Sequence, residues 1–411
     1  MPMVSPRLNR HVARLLVTPG CPREHPYGSD LRSILGGDRF IRAEREITGW
    51  PGYRATPLRR LDGFARLAGL GAVYYKDEGT RFGLGSFKAL GGAYAVYRLL
   101  AREVAARTGR PEPSAADLAA DRGGIQKDIT VTCATDGNHG RSVAWGAQMF
   151  GCRCVIHVHE TVSEGRCTAI ARYGAEVRRT PGNYDDAVRK AAADAAANGW
   201  HVVSDTSYEG YMDVPRDVMQ GYAVMAEETL RQLPAGTLPT HVFVQGGVGG
   251  LAAAMCGHFW EHLAAARPRF VVVEPDRADC LFRSAEAGRP TAVQGDLDTI
   301  MAGLACGEVS LLAWKILEAG TDAFMTIPDE AAADCMRLLA DGVDGDPPVV
   351  AGESAVAGLA GALGAAQAPE QRAALRLGPD SVVLVFGTEG DTDPDLYRAI
   401  VGRSAREVRI D

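Results

Sequence analysis

The feature that most constrains the fold is a regular alternation of strand-like and helix-like segments. Between residues 129 and 204 we predict strands at 129–134, 153–158, 175–179 and 200–204 and helices at 140–150, 164–173 and 184–198. A second series follows, with helices at 216–232 and 249–265 and strands at 240–245, 269–274 and 381–386. Strands separated by helices of about 10–15 residues are typical of βαβ units. The sequence therefore predicts an α/β protein with two parallel-sheet domains, a large one over 1–95 and 210–411 and a small one over 96–209.

Composition excludes several classes of protein. The chain has 411 residues, 46% of them hydrophobic and 23% charged, with a formal net charge of -7. This negative balance argues against nucleic acid or an anionic membrane surface as a partner. No apolar run reaches the roughly 18 residues of a membrane span, and a secretion signal is not expected because Arg and His interrupt the N-terminal apolar stretch. The nine cysteines form no C-x-x-C pair, so we expect a cytoplasmic protein with reduced thiols and no zinc site.

One lysine lies in an unusual context, the segment RFGLGSFKALGG at 81–92. A strand at 73–76 precedes it, Ser86 is a candidate N-cap, and helical periodicity runs over about 89–107. Lys88 is thus predicted close to a helix N-terminus, where the helix dipole and burial both disfavour an ammonium group. A neutral amine can condense with an aldehyde. The alternative is a solvated helix lysine, which the local pattern alone favours.

A second loop, TDGNHGR at 135–141, follows the predicted strand 129–134. Ligands of open α/β sheets bind at the carboxyl ends of strands, where such loops gather. Gly137 and Gly140 would allow a close backbone approach, and Asn138 offers both a donor and an acceptor. The alternative is a helix-capping Asn-Gly turn, and His139 alone is more often a structural histidine.

A third loop, QGGVGG at 245–250, lies between a predicted strand and a predicted helix. Its glycines can form a nest of backbone amides directed at an anion, most often a phosphate. Residues 247–252 also match G-x-G-x-x-A, and Glu274 ends the next strand, which imitates a dinucleotide fingerprint. A nicotinamide-dependent oxidoreductase therefore remains an alternative at this point.

A fourth loop, GTEGD at 387–391, follows the last predicted strand. Thr388 could offer a neutral hydroxyl to a ring nitrogen. The acids Glu389, Asp391 and Asp393 could indicate a metal, but a solvated acidic turn is the interpretation we favour, with no metal.

These loops occur together with further motifs in a family-specific order. The segments are KDEGTRFGLGSFKALGGAYAV (76–96), ATDGNHGR (134–141), NYDDAV (183–188), SDTSYEGY (204–211), MQGY (219–222), PTHVFVQGGVGG (239–250), VEPDRADC (273–280), DLDTIMAGLACGE (296–308), GES (352–354) and GTEGDTD (387–393). From about residue 25 to 402 the chain resembles the fold-type II pyridoxal-phosphate enzymes, the tryptophan-synthase-β and threonine-dehydratase group. Within that group it is most similar to the 2,3-diaminopropionate ammonia-lyase family.

The resemblance implies a fold and a set of cofactor contacts. Pyridoxal 5'-phosphate would occupy a cleft between the two α/β domains, the larger one being the cofactor-binding domain, and a homodimer is expected. Lys88 would form a Schiff base with the cofactor, Phe87 and Asn138 would contact its ring and 3-oxygen, and Thr388 would face the pyridine nitrogen. The phosphate would be held by the glycine loop, that is by Gly246, Gly247, Val248, Gly249 and Gly250.

The resemblance also implies the substrate contacts and the reaction. Ser86, Thr135, Asp136, His139 and Tyr208 would line the substrate site. Asp136 would be the base for the D-isomer and Lys88 the base for the L-isomer, and Asp205 would be a second acid near the substrate amines. Removal of the α-proton and loss of the β-amine would give aminoacrylate, which hydrolyses to pyruvate and a second ammonia. Cys280 and Cys306 occupy family cysteine positions, and their pairing is left open.

Departures from the family pattern affect the substrate site rather than the cofactor. Ser207-Tyr208 replaces a small residue followed by Trp, and the residues around the lysine turn vary. A serine or threonine dehydratase and a β-replacement synthase would share the cofactor and Lys88. A non-catalytic ligand sensor would have no need of the lysine.

Overall fold

The computed structural model describes residues 14–19, 22–121, 123–135 and 137–410. Across these residues the strands are β1 (Arg14–Val17), β2 (Leu58–Arg60), β3 (Ala72–Asp77), β4 (Thr130–Ala134), β5 (Arg153–His159), β6 (Glu176–Thr180), β7 (His201–Val202), β8 (His241–Gln245), β9 (Arg269–Pro275), β10 (Ala323–Ile327) and β11 (Val382–Gly387). The helices are α1 (Ser29–Ile34), α2 (Gly37–Thr48), α3 (Asp62–Ala68), α4 (Lys88–Thr108), α5 (Ala115–Ala120), α6 (Asn138–Phe150), α7 (Glu164–Ala171), α8 (Tyr184–Asn198), α9 (Asp213–Gln232), α10 (Gly250–Leu263), α11 (Cys280–Ala287), α12 (Leu311–Gly320), α13 (Asp329–Asp341), α14 (Ala357–Gln367), α15 (Pro369–Leu375), α16 (Pro394–Val401) and α17 (Ala405–Val408).

Contacts divide the chain into two units. The first takes the described residues up to Ser33, Thr56–Thr80 and those from Ala226 onward, and the second takes Ile34–Ala55 and Arg81–Met225. The predicted small domain, 96–209, lies inside the second unit, which also includes 34–55, 81–95 and 210–225. The predicted domain division itself stays a prediction.

The first unit is built on a seven-stranded sheet in the order β1-β10-β9-β8-β11-β3-β2. Its five central strands run parallel, and the edge strands β1 and β2 pair antiparallel with their neighbours. Strand β8 is buried at every position, and β9 at all but its first, as expected for parallel strands covered on both faces. Helices α3, α13, α14 and α15 contribute residues to the hydrophobic core of this unit. Strands β8 and β11 are adjacent and parallel, so the loops that follow them lie at the same edge of the sheet.

The second unit is built on a four-stranded parallel sheet in the order β6-β5-β4-β7. Helix α4 packs closely on α6, and glycines allow the approach: a Cβ on Gly92 would lie 1.9 Å from the Oγ of Ser142. A Cβ on Gly146 would likewise lie 2.8 Å from the Cα of Ala93. This packing holds the beginning of α4, where Lys88 lies, against the loop after β4.

The predicted α/β class with two parallel sheets is confirmed, and most predicted elements of both series are present. Residues 37–48 form a regular helix with an apolar face that buries Phe40, Ala43 and Ile47. Helix α5 follows α4 and is stabilised by a capping box of Ser114 and Asp117. Within the described residues, no helix combines the length and apolar character that a bilayer crossing requires.

Candidate functional site

Lys88 is the first residue of α4, as the sequence predicted, but the helix start differs in detail. The residue at the capping position is Phe87, without a side-chain cap, so the prediction of Ser86 as N-cap is wrong. Ser86 is instead buried. The turn before the helix uses left-handed backbone at Phe82 (φ 50°) and at two glycines, Gly83 and Gly85 (φ 72° and 76°). Such a turn places Lys88 at the positive end of the helix dipole.

The Lys88 ammonium forms an ion pair with Asp205, which comes from the loop after β7. Both side chains are largely removed from solvent, with exposures of 19% and 17%. Burial by itself raises the pKa of the Asp205 carboxyl, but the Lys88 charge, aided by His139, holds that pKa well below its usual range. The Nζ atom of Lys88 also lies 5.4 Å from the ring centre of Phe87 and 5.8 Å from that of Tyr222.

His139 completes this group from the second residue of α6. Its Nε2–H donates to the carbonyl of Val203 at 2.8 Å, which leaves Nδ1 as the unprotonated nitrogen of the neutral ring. Nδ1 faces the Oδ2 atom of Asp205 at 3.9 Å. Burial lowers the pKa of His139, an effect that Asp205 opposes. Lys88, Asp205 and His139 therefore form a compact set of groups able to bind an ammonium ion and to exchange protons.

Thr135 organises the loop between β4 and α6. Its Oγ1 atom accepts hydrogen bonds from the amides of Gly137 and Gly140, both at 3.0 Å. Gly140 must be glycine here, since a Cβ would lie 2.3 Å from the Cγ2 of Thr135 and 3.0 Å from that of Ile156. The Thr135 side chain therefore shapes the turn, and only its own hydroxyl hydrogen is left to reach a ligand.

The other residues predicted in this loop and in the 204–211 segment have separate environments. Asn138 begins α6, and its Oδ1 accepts from the guanidinium of Arg141. Asp136 lies outside the described residues. Tyr208 is 52% exposed and stacks on Tyr211, with ring centres 5.0 Å apart.

In the first unit, the glycine loop joins β8 directly to α10. Gly249 is the N-cap residue of α10, with left-handed backbone (φ 99°) and no side-chain cap. The first N–H groups of a helix have no partner within the helix, and the N-cap residue of α10 supplies no side-chain acceptor, so this end of the helix suits an anion. A Cβ on Gly246 would lie 2.7 Å from the Cδ1 of Leu281 and 2.8 Å from the Cγ1 of Val272. The glycines are thus required by the close packing of this turn.

The rest of the glycine loop is held by its neighbours in the same unit. The carbonyl of Val248 accepts from the amide of Ser310 at 2.8 Å. A Cβ on Gly247 would lie 3.3 Å from the Sγ of Cys306, and the Sγ of Cys280 donates to the Gly247 carbonyl. No disulfide bond joins Cys280 to Cys306 in this structure.

Thr388 is buried at the end of β11, beside the end of β8. The Nε2 group of Gln245 donates to the Oγ1 of Thr388 and to the carbonyl of Phe386, each at 2.8 Å. Because the Thr388 oxygen accepts this hydrogen bond, its own O–H is left to donate to another group. An unprotonated pyridine nitrogen is an acceptor of that kind.

These features fit pyridoxal phosphate. An uncapped helix N-terminus preceded by glycines suits its phosphate, a lysine at a helix start suits its aldehyde, and a buried hydroxyl with a free hydrogen suits its ring nitrogen. Each of these groups suits one part of the cofactor, and the sequence places them far apart.

The dinucleotide interpretation fails on Glu274. This carboxylate is fully buried and accepts the amides of Leu281 and Phe282 at 2.9 and 2.7 Å, at the start of α11. Burial raises the pKa of Glu274 to about 8, against the effect of those two amides. A carboxylate engaged in this way is not available to bind a ribose.

The acidic turn after β11 is internally bonded rather than solvated. Glu389 is buried, and its carboxylate accepts from the amide of Ser354 at 3.2 Å and from the hydroxyl of Thr392 at 2.9 Å. Asp393 caps α16, and Asp391 pairs with Arg409. The expectation of a solvated turn is therefore wrong for Glu389, although each of these acids has a structural role.

Sequence patterns assign no role to Gln245, the first residue of the glycine loop, or to Tyr222, which lies in the MQGY segment. The ring of Tyr222 packs on Phe87 at 4.7 Å between centres, next to Lys88. A polar residue at the last position of a buried strand is the signal that could have identified Gln245.

Comparisons with known proteins identify the family of this chain. The profile of the family described as pyridoxal-phosphate dependent enzyme matches residues 50–388. The chain is 42% identical over 355 residues to Diaminopropionate ammonia-lyase of Escherichia coli (strain K12), covering 85% of this chain and 88% of that enzyme.

Two crystal structures of Escherichia coli Diaminopropionate ammonia lyase are similar to this chain. The complex with D-serine gives a TM-score of 0.85 at 37% identity, covering 96% of this chain and 99% of the other. The complex with the aminoacrylate-PLP azomethine reaction intermediate gives 0.83 at 37% identity, covering 95% and 98%. Because the profile and the relative each span most of the chain, it belongs to the family of pyridoxal-phosphate dependent enzymes, and pyridoxal 5'-phosphate is its cofactor.

Proposed function

We propose that this chain catalyses the α,β-elimination of 2,3-diaminopropionate to pyruvate and ammonia, with pyridoxal phosphate as cofactor. The observation that carries this proposal is its identity of 42%, over 85% of its length, to an enzyme named Diaminopropionate ammonia-lyase. The cofactor supplies an electron sink that makes the substrate α-proton acidic and lets the β-substituent depart.

The cofactor contacts proposed here are those that the family resemblance implies. Lys88 would carry it through Nζ, with Phe87 and Asn138 at the ring and its 3-oxygen. Thr388 would donate its hydroxyl hydrogen to the ring nitrogen, since Gln245 already donates to its oxygen. The phosphate would be held by the loop formed of Gly246, Gly247, Val248, Gly249 and Gly250.

Asp205 would bind the substrate β-ammonium group. Without the cofactor, the Lys88 ammonium neutralises Asp205. Once Nζ holds the cofactor, the buried Asp205 carboxylate would need another cation to offset the cost of its burial, and a substrate ammonium is chemically equivalent to the one that it loses. An amine is a poor leaving group unless it is protonated, so a carboxylate that keeps it as an ammonium favours its departure.

The remaining substrate contacts would set orientation and stereochemistry. Ser86, Thr135, His139 and Tyr208 would line the substrate site, with the Nδ1 of His139 able to take up a proton beside Asp205. Asp136, outside the described residues, would remove the α-proton of the D-isomer, and the Lys88 amine would remove that of the L-isomer.

Dehydration of serine is a second candidate activity. The Escherichia coli relative has been crystallised with D-serine, which places a hydroxyl where diaminopropionate has its β-amine. A related dehydratase activity would need the same lysine and the same cofactor, but it would gain nothing from an acid that binds a β-ammonium.

The test is pyruvate formation by the purified holoenzyme with D- and L-diaminopropionate, D- and L-serine and L-threonine. We expect diaminopropionate to have the highest kcat/KM and Lys88→Ala to abolish turnover. Borohydride reduction followed by peptide mapping should locate the cofactor on Lys88. A higher kcat/KM for serine or threonine would overturn the substrate assignment, and label on another lysine would overturn the site.

We further propose that the protein is a cytoplasmic homodimer, as the family resemblance implies. Light scattering of the holoenzyme gives its mass against the 43.6 kDa of one chain. A mass of one or four chains would contradict the dimer, and recovery of the native protein in an extracytoplasmic fraction would contradict the location.

A further inference from the structure

The first unit contains a group of metal-binding side chains that the proposed catalysis does not use. Glu227 of α9 and His258 and His262 of α10 each offer one ligand atom, and the three atoms lie within 4.8 Å of one another. The two histidines are four residues apart on one helix, so they share a face, and their rings stack with centres 4.0 Å apart.

We propose that Glu227, His258 and His262 form a binding site for a divalent transition-metal ion, with Zn²⁺ as the ion that the ligand set fits best. Two imidazole nitrogens and one carboxylate oxygen are a common zinc ligand set that leaves the fourth position to water. Tetrahedral coordination at about 2.1 Å separates the ligand atoms by about 3.4 Å. The three atoms are therefore within a side-chain rotation of coordination geometry.

The hydrogen bonds around the group orient these ligands for a metal. The Nδ1–H of His262 donates to the backbone carbonyl of His258 at 2.9 Å, so Nε2 is the nitrogen of this ring that carries the lone pair. A ligating histidine usually donates its other N–H in this way. Arg231 bonds the Oε1 of Glu227 at 2.8 Å, while Oε2 is the atom that meets the Nε2 of His258 at 3.0 Å. One carboxylate oxygen is thus anchored and the other is directed at the site.

Metal binding at this site would replace the hydrogen bond between His258 and Glu227. The Nε2–H of His258 donates to the Oε2 of Glu227 at 3.0 Å. With Zn²⁺ bonded to both atoms, the proton of the neutral His258 ring would lie on Nδ1 instead of Nε2. Access is provided by His262, which is exposed, whereas His258 is buried. The histidines lie in the last three turns of α10, about 12 Å or more along the helix from the glycine loop, so the ion would link α9 to α10 without taking part in turnover.

The test uses chelator-treated holoenzyme titrated calorimetrically with Zn²⁺. We expect one ion per chain at this site and a rise in Tm with added Zn²⁺. His262→Gln should weaken binding at this site at least about tenfold while leaving turnover unchanged, because it removes an exposed ligand. Glu227→Gln should weaken binding too.

His201 provides the matched control. Its Nε2 lies 3.9 Å from Glu103 in a histidine–glutamate pair without a second histidine, so His201→Gln should leave Zn²⁺ binding unchanged. No measurable binding by the wild type, or equal binding by wild type and His262→Gln, would overturn the proposal. Cobalt substitution gives an independent readout, since a visible Co²⁺ spectrum that is lost in His262→Gln would support the same ligands.

Discussion

The side-chain amide of Gln245 donates a hydrogen bond of 2.8 Å to the hydroxyl oxygen of Thr388, across the ends of two adjacent strands. A second bond to the carbonyl of Phe386 fixes which end of the amide is the donor. The hydroxyl hydrogen of Thr388 is therefore directed away from Gln245. With this polarity, Thr388 would donate to the nitrogen of the proposed cofactor. A neutral hydroxyl in that position would leave the ring nitrogen unprotonated.

The coupling of Gln245 and Thr388 is testable with apolar replacements of similar size. Gln245→Met and Thr388→Val should each lower cofactor affinity by about 2–10-fold, which is the range of one neutral hydrogen bond. The double variant should lose less than the product of the two single losses, because both act on the same hydroxyl. Titration of the apoenzyme with the cofactor, followed by fluorescence, measures the affinity of each variant. The ¹⁵N chemical shift of labelled pyridoxal phosphate reports the hydrogen bond at its ring nitrogen. Independent, additive losses would contradict the proposed role of Gln245.

Asp205 is predicted to discriminate between substrates by their β-substituent. Asp205→Asn should lower kcat/KM for diaminopropionate by about 10²–10⁴, because the carboxylate that binds and keeps the β-ammonium protonated is lost. The loss with D-serine should be clearly smaller, since serine carries no β-charge. Steady-state kinetics on both substrates measure the ratio.

Asp194 supplies the control for that experiment, since it is also an acid paired with a lysine, Lys190, on the helix α8. Asp194→Asn should leave both kcat/KM values unchanged. A fall by the same factor on both substrates in Asp205→Asn would instead assign Asp205 to a step common to the two reactions.

Glu274 should make the folded protein less stable at alkaline pH. Its pKa is raised by burial to about 8 in the folded state, whereas an unfolded glutamate titrates near about 4.3. Its contribution to the free energy of unfolding is therefore complete below that lower value and is lost as the pH rises through about 8. Glu274→Gln, which cannot ionise, should show a smaller loss of stability between pH ~6 and ~9 than the wild type. Urea unfolding at both pH values measures this loss in the free energy of unfolding, and Glu370→Gln on the surface is the control. The same dependence of stability on pH in the wild type and in Glu274→Gln would contradict the raised pKa of Glu274.

Gly246 is predicted to tolerate no side chain. Gly246→Ala places a Cβ 2.7 Å from Leu281 and 2.8 Å from Val272, so the loop must move. We expect a loss of about 1–3 kcal/mol in the free energy of unfolding and weaker cofactor binding. Gly378→Ala, whose Cβ would meet nothing within 4 Å, is the control and should be close to neutral. Equal stability of the two variants would show that the loop accommodates the methyl group.

The sequence predicted the parts of the fold that follow from local periodicity. Strand β5 and helix α8 are present where the apolar patterns placed them, and Lys88 does begin a helix. Strand β10 was missed because a five-residue apolar run between helices has no periodicity of its own that separates strand from helix. Strand β1 was missed because it exists only through antiparallel pairing with β10, about 300 residues away in the chain.

Prediction of the functional site was limited in the same way, because local patterns do not reveal contacts between distant residues. Each loop was found because glycines at a strand–helix junction are informative locally. The pairing of Lys88 with Asp205 joins residues 117 positions apart, and Gln245 reaches Thr388 across 143. The resemblance suggested that Asp205 is near the substrate amines, but it gave no hint that the acid meets the lysine itself. Hydrogen bonds between distant residues depend on sheet order, which periodicity does not determine.

Asp136 is predicted to be needed for turnover of the D-isomer of diaminopropionate but not of the L-isomer. Asp136→Asn should lower kcat/KM for the D-isomer by about 10²–10⁴, because it removes the proposed base, while the L-isomer keeps Lys88 as its base. Pyruvate formation from each pure enantiomer measures the two effects. Asp128→Asn, an exposed acid earlier in the same segment, should change neither. Equal losses on both enantiomers in Asp136→Asn would mean that one base serves both, and the stereochemical division between Asp136 and Lys88 would have to be abandoned.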